Sequence, residues 1–261
     1  MQALTLPARR GWRWLAEGFL LFRQKQLMLT LLVLGYWMMM AVINSMPLLG
    51  QIAATLLIPV FSVSLMNTCR AIEQGRLLAP QLLFSGFNSN LRPLLLLGAI
   101  YLGASSLIFS ATVLVDDGLL FKLVIFGQRP DEELVATSNI VAAGQLALLM
   151  FLPLMMAYWF APVLVAWHGL EASKALFFSL IACLRNWRAF LAYAISVVLI
   201  GALIPGFLVG TAASLFTEAA GFFSVIFTVL IVLVLLPTLY ASFYISYRDV
   251  FVTSAPLREN A

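Results

Sequence analysis

The stretch Phe222-Phe223-Ser224-Val225-Ile226-Phe227-Thr228-Val229-Leu230-Ile231-Val232-Leu233-Val234-Leu235-Leu236 contains no charged residue. With its apolar flanks it exceeds the roughly 20 residues that a helix needs to cross a hydrocarbon core of about 30 Å. Five other runs read the same way, so spans are expected at about 27–44, 48–68, 93–115, 140–167, 189–215 and 219–247. The whole chain agrees with them. Of its 261 residues, 63% are hydrophobic and 10% charged, where a soluble domain carries about 25% charge. That composition excludes an ordinary soluble enzyme, and so much apolar surface excludes disorder. The expected fold class is all-α, a polytopic membrane protein forming one integral membrane domain over residues 1–261.

Basic residues in the short connections set orientation. With the N-terminus in the cytoplasm, Arg9, Arg10, Arg13, Arg23 and Lys25 precede the first span. Arg70, Arg76 and Arg92 fall in the second cytoplasmic segment, Lys174, Arg185 and Arg188 in the third, and Arg248 and Arg258 in the tail. Only Lys122 and Arg129 are left outside, of 15 basic residues in all. The expected location is therefore the bacterial inner membrane, multi-pass, with both termini cytoplasmic. The net charge of +4 holds topology and meets anionic headgroups; no basic and aromatic array points to nucleic acid. Arg9-Arg10 is followed by Gly11, Trp12, Arg13 and Glu17, which does not fit a cleaved export signal. Cys69 and Cys183 form no close-spaced pair and read as reduced bystanders.

Three segments lead into the odd-numbered spans: 9–25, 80–92 and 173–188. In the first, Arg9, Arg13, Glu17 and Gln24 lie opposite Leu15, Phe19 and Phe22 on a helical wheel, with Trp12 and Trp14 suited to headgroup depth. In the third, Lys174, Arg185 and Arg188 share one side, and the middle segment is broken by Gly86. Each segment fits an amphipathic helix in the cytoplasmic interface, or one packed on the cytoplasmic end of the bundle. Outside, residues 116–139 are acidic, and Asp131-Glu132-Glu133 after Pro130 reads as a solvated helix start.

The same order of parts recurs three times. Phe22–Leu27, Phe87–Leu94 and Leu184–Phe190 each mix amides with basic residues before an apolar run. Each even-numbered span carries a proline part-way along: Pro59, Pro153 and Pro237. The expected architecture is six transmembrane helices in three parallel two-helix repeats, each preceded by a cytoplasmic interfacial helix. The three prolines are candidate kinks, with Ser62, Ser64 and Ser242 placed to satisfy the carbonyls they free.

The run Phe160–Gly169, the amphipathic stretch closing on Ala182-Cys183-Leu184-Arg185-Asn186-Trp187, and the ending Tyr244-Ile245-Ser246-Tyr247-Arg248-Asp249-Val250-Phe251 resemble an uncharacterised family of bacterial inner-membrane proteins. The opening Arg10-Gly11-Trp12-Arg13-Trp14-Leu15 fits the same family. That family is distantly similar to the membrane domain of glycerophosphodiester phosphodiesterases, and the resemblance implies a membrane fold without a catalytic domain.

Ionisable residues inside spans usually mark function, and here none lies at mid-membrane. His168 falls at a span end and reads as interfacial or capping, Glu218 in the outer turn between the last two spans reads as solvated or capping, and Asn44, Gln51, Asn67 and Gln145 read as interhelical hydrogen-bonding groups. With one histidine and two separated cysteines, zinc or haem would lack ligands, so no cofactor, metal or catalytic residue is assigned. Arg9, Arg10, Arg13, Lys174, Arg185, Arg188 and Arg248 are the candidates for lipid-headgroup contact. The expected function is non-catalytic lipid or partner binding in envelope organisation, with membrane lipids or another membrane protein as partner. The alternative is a small-solute or lipid transporter with its pathway on the pseudo-threefold axis.

Overall fold

The computed structural model describes residues 3–128, 138–215 and 219–251. Arg129, Asp131, Glu132, Glu133, Glu218 and Arg258 lie outside the described residues. The elements are α1 (Arg9–Gln24), α2 (Gln26–Asn44), α3 (Leu49–Glu73), a 3-10 helix (Pro80–Asn88), α4 (Leu91–Asp116), α5 (Leu119–Phe126), α6 (Ile140–His168) and α7 (Ala172–Arg185). They continue with α8 (Trp187–Val198), α9 (Ile204–Leu215), α10 (Ala219–Leu230) and α11 (Leu236–Phe251). One wide turn, Leu199–Leu203, joins α8 to α9, and another, Ile231–Leu235, joins α10 to α11. Among the described residues, six helices are long and apolar enough to cross a membrane: Gln26–Asn44, Leu49–Glu73, Leu91–Asp116, Ile140–His168, Trp187–Ser214 and Gly221–Phe251. Every Asp, Glu, Lys or Arg in them lies within the first or last turn.

The chain divides into two compact units. One comprises Met1–Val42, Phe61–Ser89 and Ala182–Ala261; the other comprises Ile43–Val60 and Asn90–Ile181. In the first unit α1 packs on α8 and α11 through Gly11, Trp14, Leu15, Gly18, Leu21 and Phe22. Between apolar helices in lipid the hydrophobic effect is weak, so close approach of small residues matters more. Gly11 lies directly on the Ala189 carbonyl and Gly18 on the Ser242 backbone. Trp14 fills the space between, edge-on to Phe190 at 5.2 Å and to Tyr193 at 6.1 Å. The expectation that Trp14 sits among headgroups is overturned, because its side chain is fully buried; only Trp12 is exposed.

Asn186 breaks the helix between α7 and α8, so the segment expected over 173–188 ends at Arg185 and Arg188 belongs to the first turn of α8. The buried Asn186 amide accepts from the Leu6 N–H at 2.8 Å and donates to the Leu4 carbonyl at 2.8 Å. The Leu4 N–H in turn reaches the Val250 carbonyl at 3.0 Å. These bonds tether the N-terminal segment to the unit.

In the second unit α4 packs on α6. The Tyr158 hydroxyl donates to the Leu97 carbonyl at 2.6 Å, and Gly98 lies against the Leu56 backbone. Ser179 of α7 inserts into the α6 hydrogen-bond ladder, accepting from the Phe160 N–H at 2.9 Å and donating to the Met156 carbonyl at 2.8 Å. Asp116 ends α4 and starts α5, accepting from the Gly118 N–H at 3.0 Å and the Leu120 N–H at 2.6 Å.

Pro59 and Pro153 lie inside α3 and α6, and Pro237 is the second residue of α11, just past the wide turn Ile231–Leu235. A proline cannot donate to the carbonyl four residues back, and its ring crowds that carbonyl; a wide turn relieves both. The carbonyl freed by Pro237 belongs to Leu233, and its partner is the Thr30 hydroxyl at 3.1 Å. Ser64 and Ser242 are engaged elsewhere, Ser64 accepting from the Gly86 N–H and Ser242 meeting Tyr193.

The glycine contacts are directly testable. A methyl at Gly11 would stand 2.0 Å from the Ala189 oxygen, and one at Gly18 would stand 2.6 Å from the Ser242 nitrogen. Gly11→Ala or Gly18→Ala should destabilise the protein by about 1–3 kcal/mol through overpacking, read as a lower melting temperature in detergent. Gly103→Ala, whose methyl would meet nothing within 4 Å, should leave melting unchanged or raise it.

Candidate functional site

Five charged side chains from α1, α3 and α11 converge in the first unit. The α11 sequence ends on Arg248-Asp249, and one helical turn separates these from Tyr244. Arg10, Trp14 and Glu17 are spaced at three to four residues on α1, so all three face α11. Arg10 Nε donates to Asp249 Oδ2 at 2.8 Å, and its Nη2 also meets that oxygen. Arg10 Nη1 donates to Glu17 Oε1 at 2.9 Å. Trp14 Nε1 donates to Asp249 Oδ2 at 2.9 Å. Arg248 continues the network, donating to Glu17 Oε2 at 3.0 Å and to Glu73 Oε1 at 2.5 Å, while the Tyr244 hydroxyl donates to Glu73 Oε2.

The Arg10 side chain is 19% exposed and that of Asp249 12%. Burial by itself lowers the pKa of Arg10, but the hydrogen bond and charge of Asp249, and then of Glu17, outweigh it and hold it above the usual guanidinium value. Arg10 is therefore a permanent cation, and the link does not titrate through it. Two guanidiniums against three carboxylates leave the network balanced to within one charge. Each of its carboxylates accepts from nitrogen or hydroxyl donors, so the network fastens three helix ends. Among the described residues, no three His, Cys, Asp or Glu side chains come together as a metal would require.

The sequence-derived headgroup candidates thus separate into two sets. Arg10 and Arg248 are held by carboxylates. Arg9, Arg13, Arg185 and Arg188 are exposed, and the Arg188 guanidinium lies over the Trp187 ring at 5.4 Å. Lys174 is exposed and pairs with Glu171 at 3.0 Å, a contact that solvent screens strongly. The packing of α1 on α8 places Arg9, Arg13 and Trp12 on the same unit as Trp187 and Arg188. His168 is exposed at the end of α6, where Gly169 turns the chain with φ 65°. Asn67 donates to Ser85 Oγ at 3.0 Å, whereas Gln51 and Gln145 are exposed.

The sequence reading missed two arginines, Arg70 and Arg76, beside a cavity of about 430 Å³. The available signal was Glu73-Gln74-Gly75-Arg76, a glycine just past a helix end.

Six span-length apolar helices, with charges confined to their end turns, define a multi-pass α-helical membrane protein. The chain is 32% identical over 263 residues to a protein of Burkholderia thailandensis named as a probable inner membrane protein, the match covering 98% of this chain and 96% of the relative. The chain belongs to that family, as an integral inner-membrane protein. No protein-family model matches it, and no solved structure does.

The network is tested at its shared carboxylate. Asp249→Asn removes the charge that Arg10 and Trp14 face and should cost about 1–3 kcal/mol, the range for losing a charge-assisted hydrogen-bond partner. It should lower the melting temperature and open α1 to limited proteolysis, whereas Lys174→Gln should change neither.

Proposed function

We propose that this protein is a non-catalytic membrane component that holds anionic lipid at the cytoplasmic surface of the inner membrane and serves in envelope organisation. The observation that carries this reading is the exposed set Arg9, Arg13, Arg185 and Arg188 flanked by exposed Trp12 and Trp187. Indole rings favour the membrane boundary, and basic side chains there gain about 1 kcal/mol each from anionic lipid. Ion-coupled transport fits less well, because the charged residues of the described spans all lie in end turns.

The threefold repeat belongs to this reading. Its support is that Pro59 and Pro237 are each followed five residues on by a serine that meets a glycine of a surface segment, Ser64 with Gly86 and Ser242 with Gly18. At the corresponding depth of α6, beyond Pro153, the ladder around Phe160 receives Ser179 of α7. Every copy then enters the membrane from the cytoplasm.

Native mass spectrometry of the purified full chain tests the lipid reading. Arg185→Gln with Arg188→Gln should reduce the average number of phosphatidylglycerol molecules carried, and an unchanged number would remove the surface contact. Reporter fusions test orientation: those joined after Asn139 should report the outside and those joined after Asn186 the cytoplasm.

A further inference from the structure

We infer that the cavity between the end of α3 and the 3-10 helix is a stoichiometric binding site for a phosphate group, and that this group is the headgroup phosphate of a membrane phospholipid.

The site is built by a helix stop. Two residues past the end of α3, Gly75 has φ 65°. The Gly75 N–H donates to the Ile72 carbonyl at 2.9 Å and the Arg76 N–H to the Ala71 carbonyl at 2.9 Å. This paired closure reverses the chain and requires glycine at its left-handed residue. It brings Arg76 back beside the last turn of α3, where Arg70 stands. The 3-10 helix is then fixed against α3 at two points. Asn67 Nδ2 donates to Ser85 Oγ at 3.0 Å, and the Gly86 N–H donates to the buried Ser64 Oγ at 2.9 Å. The walls of the cavity are therefore held before any ligand arrives.

Its chemistry is that of an anion site. Arg70 and Arg76 supply guanidiniums, whose planar forks match phosphate oxygens. Asn67, Gln74 and Ser85 add amides and a hydroxyl, and no carboxylate lines the cavity. Glu73 sits on the same turn of α3 but is engaged by Arg248 and Tyr244. The volume of about 430 Å³ falls within the range of small-molecule sites.

The surroundings select a lipid as the source. The apolar course of α3 runs through Met66 and Cys69, and Arg70 is the first charge after it, so the cavity opens where headgroups lie. Leu77 and Leu82 complete the lining, and Leu77 is 93% exposed. An apolar lip beside two arginines suits a glycerol and acyl chain below a phosphate, and has no use for a free ion.

This site differs in position from the surface set of Arg185 and Arg188, and only its choice of a lipid source rests on the preceding reading. The experiment uses the full chain in mild detergent, with native mass spectrometry after addition of phosphatidylglycerol and, separately, inorganic phosphate. One phosphatidylglycerol per chain should survive activation that strips the rest. Arg70→Gln with Arg76→Gln should lower its retention about tenfold or more, as expected when charge-assisted bonds to phosphate are lost. Gln74→Glu, which keeps both arginines but adds a carboxylate to the cavity, should act in the same direction at unchanged melting temperature. Arg185→Gln with Arg188→Gln should leave this one lipid in place, even if it lowers the total carried. Arginine-dependent binding of inorganic phosphate without retained lipid would overturn the lipid source and keep the phosphate site. Retention unaffected by the Arg70, Arg76 and Gln74 changes would overturn the site itself, whatever the surface arginines do.

Discussion

The carboxylate of Asp249 ties the two ends of the chain together. It accepts from Arg10 and Trp14 of the first helix, 239 and 235 residues away in sequence. A carboxylate this far from water is costly unless it is matched by charge and hydrogen bonds. α11 therefore closes properly only with α1 in place, and only in the register that brings Arg10, Trp14 and Glu17 to its last turns. The same register sets Gly11 on α8 and Gly18 on α11, where side chains larger than glycine do not fit. Charge fixes which residues meet, and the glycines fix how closely the helices approach.

That fastening also sorts the arginines. Arg10 and Arg248 spend their charge on carboxylates of the same chain, and in doing so they engage Glu17, Glu73 and Asp249. Glu73, on the same turn of α3 as Arg70, is engaged by Arg248 and Tyr244 and does not line the neighbouring cavity. A network that looks structural thus shapes the electrostatics of an adjacent site. The scarcity of charge in the sequence makes each such pairing consequential, since 11 acidic residues face 15 basic ones.

The spans were legible in the sequence because the bilayer imposes both composition and length, and the run 27–44 became a helix over Gln26–Asn44. The contacts of α1 were less legible. A helical wheel separates Leu15 and Phe22 from Arg9 and Arg13, but lipid and protein are equally apolar, so the pattern does not say which one an apolar face meets. Trp12 and Trp14 have the same composition and opposite fates for that reason. Gly11 and Gly18, seven residues apart on one face, were the signal for close packing. Arg10 looked like its neighbours Arg9 and Arg13 because its partner stands at the far end of the chain. Arg70 and Arg76 were counted toward topology alone, since only the turn at Gly75 brings them to a common cavity.

Contacts of one kind recur beyond the prolines in both units. In the first unit a span serine meets a glycine of a segment outside the spans twice, Ser64 with Gly86 and Ser242 with Gly18. In the second unit the roles are exchanged: Ser179 of α7 supplies the hydroxyl, and the α6 backbone at Phe160 and Met156 supplies donor and acceptor. Helices in lipid associate through small residues and hydrogen bonds more than through apolar surface, so a docking of this kind needs only one hydroxyl and one close approach. The remaining positions need only be apolar, a condition met by many sequences. Such a docking constrains only one or two positions, and the hydroxyl can stand on either of the two helices without changing the contact.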